Sequence, residues 1–152
     1  MKFQKDFYKN IESNIERALN NKTSKGVLKF EKPKLAETII IKIYYGIDTE
    51  GWNKTLSDDD IRHMLKEHSN PIKEAKKDQI AITKEDIINI PDIINNYDSI
   101  EKGNRNGKYN TIRYIKNYYD NITYLVEVIL DDQKLLQIKT MWKKSTIKTS
   151  VH

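Results

Sequence analysis

Apolar residues return every four positions at the start of the chain: Phe3, Phe7, Ile11, Ile15 and Leu19, with Lys, Asn, Glu and Arg between them. That period predicts an amphipathic helix of about five turns, running out in the polar stretch from Asn20 to Gly26. A stripe of this kind serves core packing or a partner surface. Val27 to Lys32 reads as a short strand stopped by Pro33. Leu35 to Tyr45 is rich enough in β-branched residues for a strand. Yet Leu35, Ile39, Ile43 and Ala36, Ile40, Tyr44 keep helical spacing, so a helix capped by Gly46 is preferred. A loop through Gly51 and Trp52 leads to the next element.

That element runs from Ser57 to His68. Ser57 and Asp60 make a capping box, and the carboxylates from Asp58 to Asp60 suit the positive end of a helix. At about 100° per residue, Ile61, Met64, Leu65 and His68 share one face, while His63 points about 200° away. Asn70-Pro71 breaks the helix and a charged connection follows. Thr83 to Asp86 is a second capping box, opening a helix through Ile90, and Pro91 restarts the chain into a turn of helix over Asp92 to Asn96. The loop from Glu101 to Lys108 reads as a flexible connection, with basic and amide groups available for RNA contact. Three strands come next: Thr111 to Tyr118, Ile122 to Leu130 and Lys134 to Lys143. Tyr119-Asp-Asn121 and Asp131-Asp-Gln133 join them as hairpins. The tail from Lys144 to His152 is polar and expected to fray, so His152 is discounted as a site residue. The pattern is α+β, helices first and then an antiparallel meander. It divides into a helix over 1–26, a body over 27–143 and a flexible tail over 144–152.

The length of 152 residues suits one domain with a real core. The formal charge of +5 and a pI near 9.2 favour polyanionic partners: RNA, DNA or an anionic membrane surface. An AT-rich genome also raises lysine, isoleucine, asparagine and tyrosine, which weakens any argument from lysine count alone. The absence of cysteine excludes disulfides, thiol nucleophiles and cysteine zinc sites, and fits a reducing cytoplasm. The first residues lack the apolar core of a signal peptide. The apolar run from Thr38 to Tyr45 is interrupted by Lys42 and too short to span a bilayer. The expectation is a soluble protein acting in the cytoplasm, without a membrane partner.

Candidate chemistry gathers at the end of the chain. Strand alternation puts Lys139 with Met141 on one face and Ile138, Thr140 and Trp142 on the other. In the first strand of the meander, Arg113, Ile115 and Asn117 oppose Tyr114, Lys116 and Tyr118. Cations on two neighbouring strands plus a hydroxyl would suit a phosphate-handling surface, and a half-solvated sheet carries lysine as well. His68 sits at a helix C-terminus, where the dipole favours the protonated ring; a helix-end histidine satisfied by its neighbours is the plainer alternative. Capping accounts for Asp58 to Asp60, and their spacing with His63 matches no standard metal site, so no metal or other cofactor is expected. A serine nucleophile elbow and a phosphate-cradling glycine loop are both lacking.

Five pieces in order carry a resemblance: Ile61-Arg-His-Met-Leu-Lys-Glu-His68, the run Ile82 to Ile94, Ile112-Arg-Tyr-Ile-Lys116, Tyr124-Leu-Val-Glu-Val128 and Leu136-Gln-Ile-Lys-Thr-Met-Trp142. Together, over residues 55 to 143, the chain resembles the phage-associated barnase–EndoU–colicin–RelE-like (BECR) nucleases. The resemblance implies a metal-independent RNase fold, helices followed by a curved four-stranded antiparallel sheet, found in toxin modules and on phage particles. It departs from the family at Ser69, where members often carry glycine after the histidine. The Lys139-Thr140 pair matches the family's basic residue and hydroxyl, and a bulge or sheet edge is needed to bring both to one phosphate. The expected activity is endoribonucleolytic cleavage of tRNA or other RNA by its own 2′-hydroxyl, leaving a 2′,3′-cyclic phosphate. His68 would move the proton, Lys139 and Arg113 would offset phosphate charge, and Thr140 would donate a hydrogen bond. His63, Lys116, Tyr114, Tyr118 and Trp142 would hold the RNA. A toxin of this kind would have a cognate immunity or antitoxin protein. The alternative on the same fold is a non-catalytic RNA- or protein-binding module.

Overall fold

The computed structural model describes residues 2–30 and 32–147, with side chains from 11 onward among these. Its elements in chain order are α1 (Lys2–Asn20), β1 (Val27–Phe30), α2 (Leu35–Tyr45), β2 (Asn53–Ser57), α3 (Asp58–His68), α4 (Pro71–Ala75) and β3 (Gln79–Ile80). They continue with α5 (Lys84–Ile88), α6 (Ile90–Asn96), β4 (Ser99–Lys102), β5 (Asn110–Asn117), β6 (Asn121–Leu130) and β7 (Leu135–Ser145). The strands form one sheet in the order β1-β2-β7-β6-β5-β4, with β3 paired to the far end of β7. Every pairing is antiparallel except β2 with β7. The architecture is α+β, with the expected meander as β5, β6 and β7.

Local chemistry accounts for the helix ends. Ser57 accepts the Asp60 N–H at the start of α3, and Asn70 accepts the N–H groups of Ile72 and Lys73 ahead of Pro71 in α4. Thr83 and Asp86 complete a reciprocal capping box on α5. Gly46 closes α2 at φ 69°, a left-handed position that glycine takes without steric cost.

Cross-strand rows sort the sheet into two faces, because residues directly opposite one another point the same way. One row is Ile100, Tyr114, Leu125 and Met141; the next is Lys102, Ile112, Glu127 and Ile138. Tyr114, Leu125, Met141, Ile112, Glu127 and Ile138 are all fully buried. This inner face meets α2 and α6, with the Tyr97 ring 5.5 Å from that of Tyr114. The helix α1 joins the same core through Ile11, Ile15 and Ala18, and Arg17 grips the buried Asp58 through two hydrogen bonds of 2.8 and 2.9 Å. The guanidinium holds the Asp58 carboxyl below its ordinary range. Gly26 donates its N–H to the same carboxylate, and a Cβ there would collide with the clamped Arg17 side chain.

Beneath α2 lies a buried ionic cluster. The Lys54 ammonium contacts a Glu37 carboxylate oxygen, lies 3.3 Å from Glu127 and donates to the Tyr114 hydroxyl at 2.6 Å. The same hydroxyl lies 2.9 Å from Glu37 and 3.0 Å from Glu127. Two carboxylates share one cation, so burial, opposed in part by Lys54 and reinforced by Glu37, pushes the Glu127 acid up from its ordinary 4.5. Burial likewise drives the Tyr114 phenol well up, and it stays neutral.

Four elements depart from the sequence expectation. The stretch before α3 is a strand rather than a loop, because Lys54 turns inward to the cluster while Thr55 and Leu56 are buried beside it. Ser99–Lys102 pairs with β5, and the charged connection after Asn70 contains α4 and β3. The remaining loop is a turn closed by mutual Asn106–Tyr109 backbone bonds, with Tyr109 donating to Asp132, rather than a flexible connection. His152 lies outside the described residues.

Lys54→Met leaves two carboxylates in the core without their cation and is expected to cost about 3–5 kcal/mol in urea unfolding. Glu127 binds its proton more tightly folded than unfolded, so its stabilising contribution is complete below pH 4.5 and is lost as pH rises through the folded value. Glu127→Gln is therefore expected to flatten the loss of stability on the alkaline side of pH 4.5, measured as denaturation midpoints across a pH series.

Candidate functional site

The face of the sheet opposite the core is half-exposed and carries a different set of groups. Its rows are Glu101, Arg113, Val126 and Thr140, then Ser99, Ile115, Tyr124 and Trp142. Strand spacing puts Arg113 and Thr140 about 10 Å apart on the backbone, within reach of one phosphodiester between an extended guanidinium and a short hydroxyl.

A β-bulge builds this arrangement. Glu127 pairs with Ile138 while Val126 pairs with Thr140, so Lys139 is the extra residue. Ile138 thereby joins Met141 in the core, and Thr140 and Trp142 stay together on the outer face. The sequence alternation had placed Ile138 with Thr140; the extra residue resets it.

The Arg113 guanidinium donates to a Glu101 carboxylate oxygen at 2.9 Å and lies 5.9 Å from the Trp142 ring centre. Tyr124 and Trp142 stack with centroids 5.2 Å apart and planes 14° apart. The Arg113 Nε–H and the Thr140 hydroxyl are both shielded from solvent without a hydrogen-bond partner. Donors buried in that state carry a desolvation penalty. Glu101, 42% exposed, is an accessible carboxylate beside them. Sequence reasoning missed both Glu101 and Tyr124. Glu101 lay in a stretch read as loop, and nothing local marks Tyr124 as the partner of Trp142 across the hairpin.

The other expected residues sit elsewhere. Lys139 sends its ammonium to Asp60, 3.2 Å away at the start of α3, where Ser57 and Gln137 also reach that carboxylate. His68, at the end of α3, holds Glu74 through Nδ1 at 2.5 Å. Two turns of helix, about 12 Å, separate these anchor points along α3. Glu74 is fully buried and the His68 side chain is 16% exposed, so the ring is fixed by a carboxylate and keeps Nε2 for another partner. His63 is exposed on the opposite side of α3. Lys116 and Tyr118 belong to the inner face near α6, donating to the Asn96 carbonyl at 2.6 Å and to Asp92 at 3.2 Å. Tyr114, expected to stack a base, is fully buried in the ionic cluster; its ring is core rather than surface. The structure thus brings together Arg113, Thr140 and Trp142, with Lys139 next to Thr140 in the chain; it turns Tyr114, Lys116 and Tyr118 to the other face of the sheet and leaves His63 exposed on α3.

Among the described residues, no helix is long and apolar enough to cross a membrane, and no three acidic or histidine side chains cluster tightly enough to hold a metal ion. A family model described as phage-Barnase-EndoU-ColicinE5/D-RelE like nuclease3 matches residues 25–150, a range that begins at the end of the α1–β1 connection. No curated protein and no solved structure matches the chain.

Because the Thr140 hydroxyl has no partner, the near-isosteric Thr140→Val removes a buried polar group at little cost. Its stability in urea unfolding is expected within about 1 kcal/mol of the parent chain, on either side.

Proposed function

The chain belongs to the phage-Barnase-EndoU-ColicinE5/D-RelE like nuclease family, and from that premise we propose that it is an endoribonuclease working on the outer face of the β4–β7 sheet. The observation that carries this reading is the Glu101–Arg113 pair beside the partnerless Thr140 hydroxyl and the Tyr124–Trp142 stack. Arg113 and Thr140 bind the scissile phosphate and offset the charge that develops on its oxygens. Trp142 and Tyr124 offer an aromatic surface on which a neighbouring base stacks. Glu101, released from Arg113 as phosphate takes its place, accepts the 2′-hydroxyl proton. The freed 2′-oxygen attacks phosphorus, the bond to the 5′-oxygen breaks, and that oxygen takes a proton from water and leaves as a hydroxyl. The products are a 2′,3′-cyclic phosphate and a 5′-hydroxyl end, formed without a metal ion.

A second assignment of the proton transfer is favoured by the buried Glu74 carboxylate on His68 Nδ1. A carboxylate that orients an imidazole is the usual support of a histidine acid or base. The family's description as a nuclease and the basic charge support a nucleic acid as the substrate; we take it to be RNA, with tRNA as a candidate, in a phage-associated or toxin role in the cytoplasm. The rival on this fold is a module that holds RNA without cutting it.

Digestion of total cellular RNA by the purified chain in EDTA tests the proposal. Cleavage is expected, with no cutting of an oligonucleotide whose 2′-hydroxyl at the scissile position is replaced by hydrogen. Glu101→Gln is expected to lower the rate about 10²–10⁴-fold, the range for loss of a general base. Arg113→Met and Thr140→Val should lower it as well while folding is retained. If His68→Asn abolishes cutting while Glu101→Gln does not, the proton passes to the histidine. Tight RNA binding with every strand intact overturns the enzyme reading in favour of the module.

A further inference from the structure

We propose that the solvent face of α2 is a docking site for an acidic protein partner, an inference that does not depend on the catalytic reading. Leu35, Ile39 and Ile43 recur every fourth residue along this helix, so they form one row on its surface. They remain 75%, 47% and 74% exposed. Single exposed aliphatic residues are ordinary, but three in a row about 12 Å long form a contiguous apolar strip, which marks an interaction surface.

The row is not the core face of a helix that failed to pack. The inner side of α2 is already engaged: Ile41 and Glu37 are fully buried, and the Tyr44 and Tyr45 hydroxyls donate to the carbonyls of Ile100 and Thr111. The helix carries two apolar faces, and among the described residues only one is covered.

Charge around the row selects the occupant. Lys32 and Lys34 stand exposed before the helix and Lys42 is exposed within it. Glu37 is the only carboxylate in α2, and it is turned into the core. An apolar row rimmed by ammonium groups complements a partner with carboxylates flanking aliphatic side chains, and an amphipathic helix is the mode that fits a row of this spacing. Aliphatic side chains give RNA neither rings to stack on nor hydrogen bonds to read. A second copy of the chain would set lysine against lysine, which like-charge repulsion disfavours.

The experiment selects a displayed library of random peptides on the full chain, with counter-selection against the double variant Ile39→Asp/Ile43→Asp. Both positions are exposed, so the variant is expected to unfold at the parent's urea midpoint and to keep any cleavage of RNA in EDTA. Peptides retained only by the parent are expected to carry Asp and Glu around aliphatic residues at helical spacing. Made synthetically, they should bind the variant at least about tenfold more weakly, as loss of a central anchor does. They should also weaken on Lys34→Glu/Lys42→Glu. Peptides without acidic enrichment, or peptides bound equally by parent and variant, overturn the proposal. So does a parent that sediments as a dimer while the variant sediments as a monomer, since the occupant is then a second copy.

Discussion

The outer face of the sheet has its orientation because a lysine, two glutamates and a tyrosine are locked together beneath it. Lys54 comes from β2, Glu37 from α2, Tyr114 from β5 and Glu127 from β6, so one cluster fastens three strands and a helix at a single point. A buried charge left without its counter-charge is costly, which makes the four side chains interdependent. Arg113 precedes Tyr114 and Val126 precedes Glu127 in the chain. Holding the second member of each pair inward turns the first outward, and the groups proposed to meet the phosphate are aimed by groups that never touch it.

Much of the fold was readable because local chemistry and tertiary packing agree. The capping residues Ser57 and Thr83, the Gly46 stop and the three β-branched strands of the meander each declare themselves within a few residues. The strand β2 did not. Its sequence Asn-Lys-Thr-Leu-Ser looks like a loop, and only long-range pairing with β7 and the distant carboxylates make Lys54 a core residue. The same blindness explains Tyr114. Alternation showed correctly that it faces away from Arg113, but nothing local says which of the two faces receives the helices. The proposed site was legible in part for a similar reason: Arg113, Thr140 and Trp142 lie in recognisable strands, whereas the ion pair with Glu101 and the stack with Tyr124 exist only across strands.

The distribution of charge is more telling than its sum. Arg113 is paired with Glu101, Lys139 with Asp60 and Lys143 with Asp86, so each of these three cations already has a carboxylate partner. RNA held on that face as proposed would have to displace those carboxylates, so its binding would depend on exchange of partners and on ring stacking as well as on net charge.

The single unpaired residue in β7 acts as a phase shift in the strand. With strict two-residue alternation from Ile138 onward, Thr140 and Trp142 would fall beneath the helices, and Met141 would be thrown out to water. One inserted amino acid therefore decides which half of the strand is read by the interior and which by the surroundings. A change in strand length at this point would exchange the two sets at once.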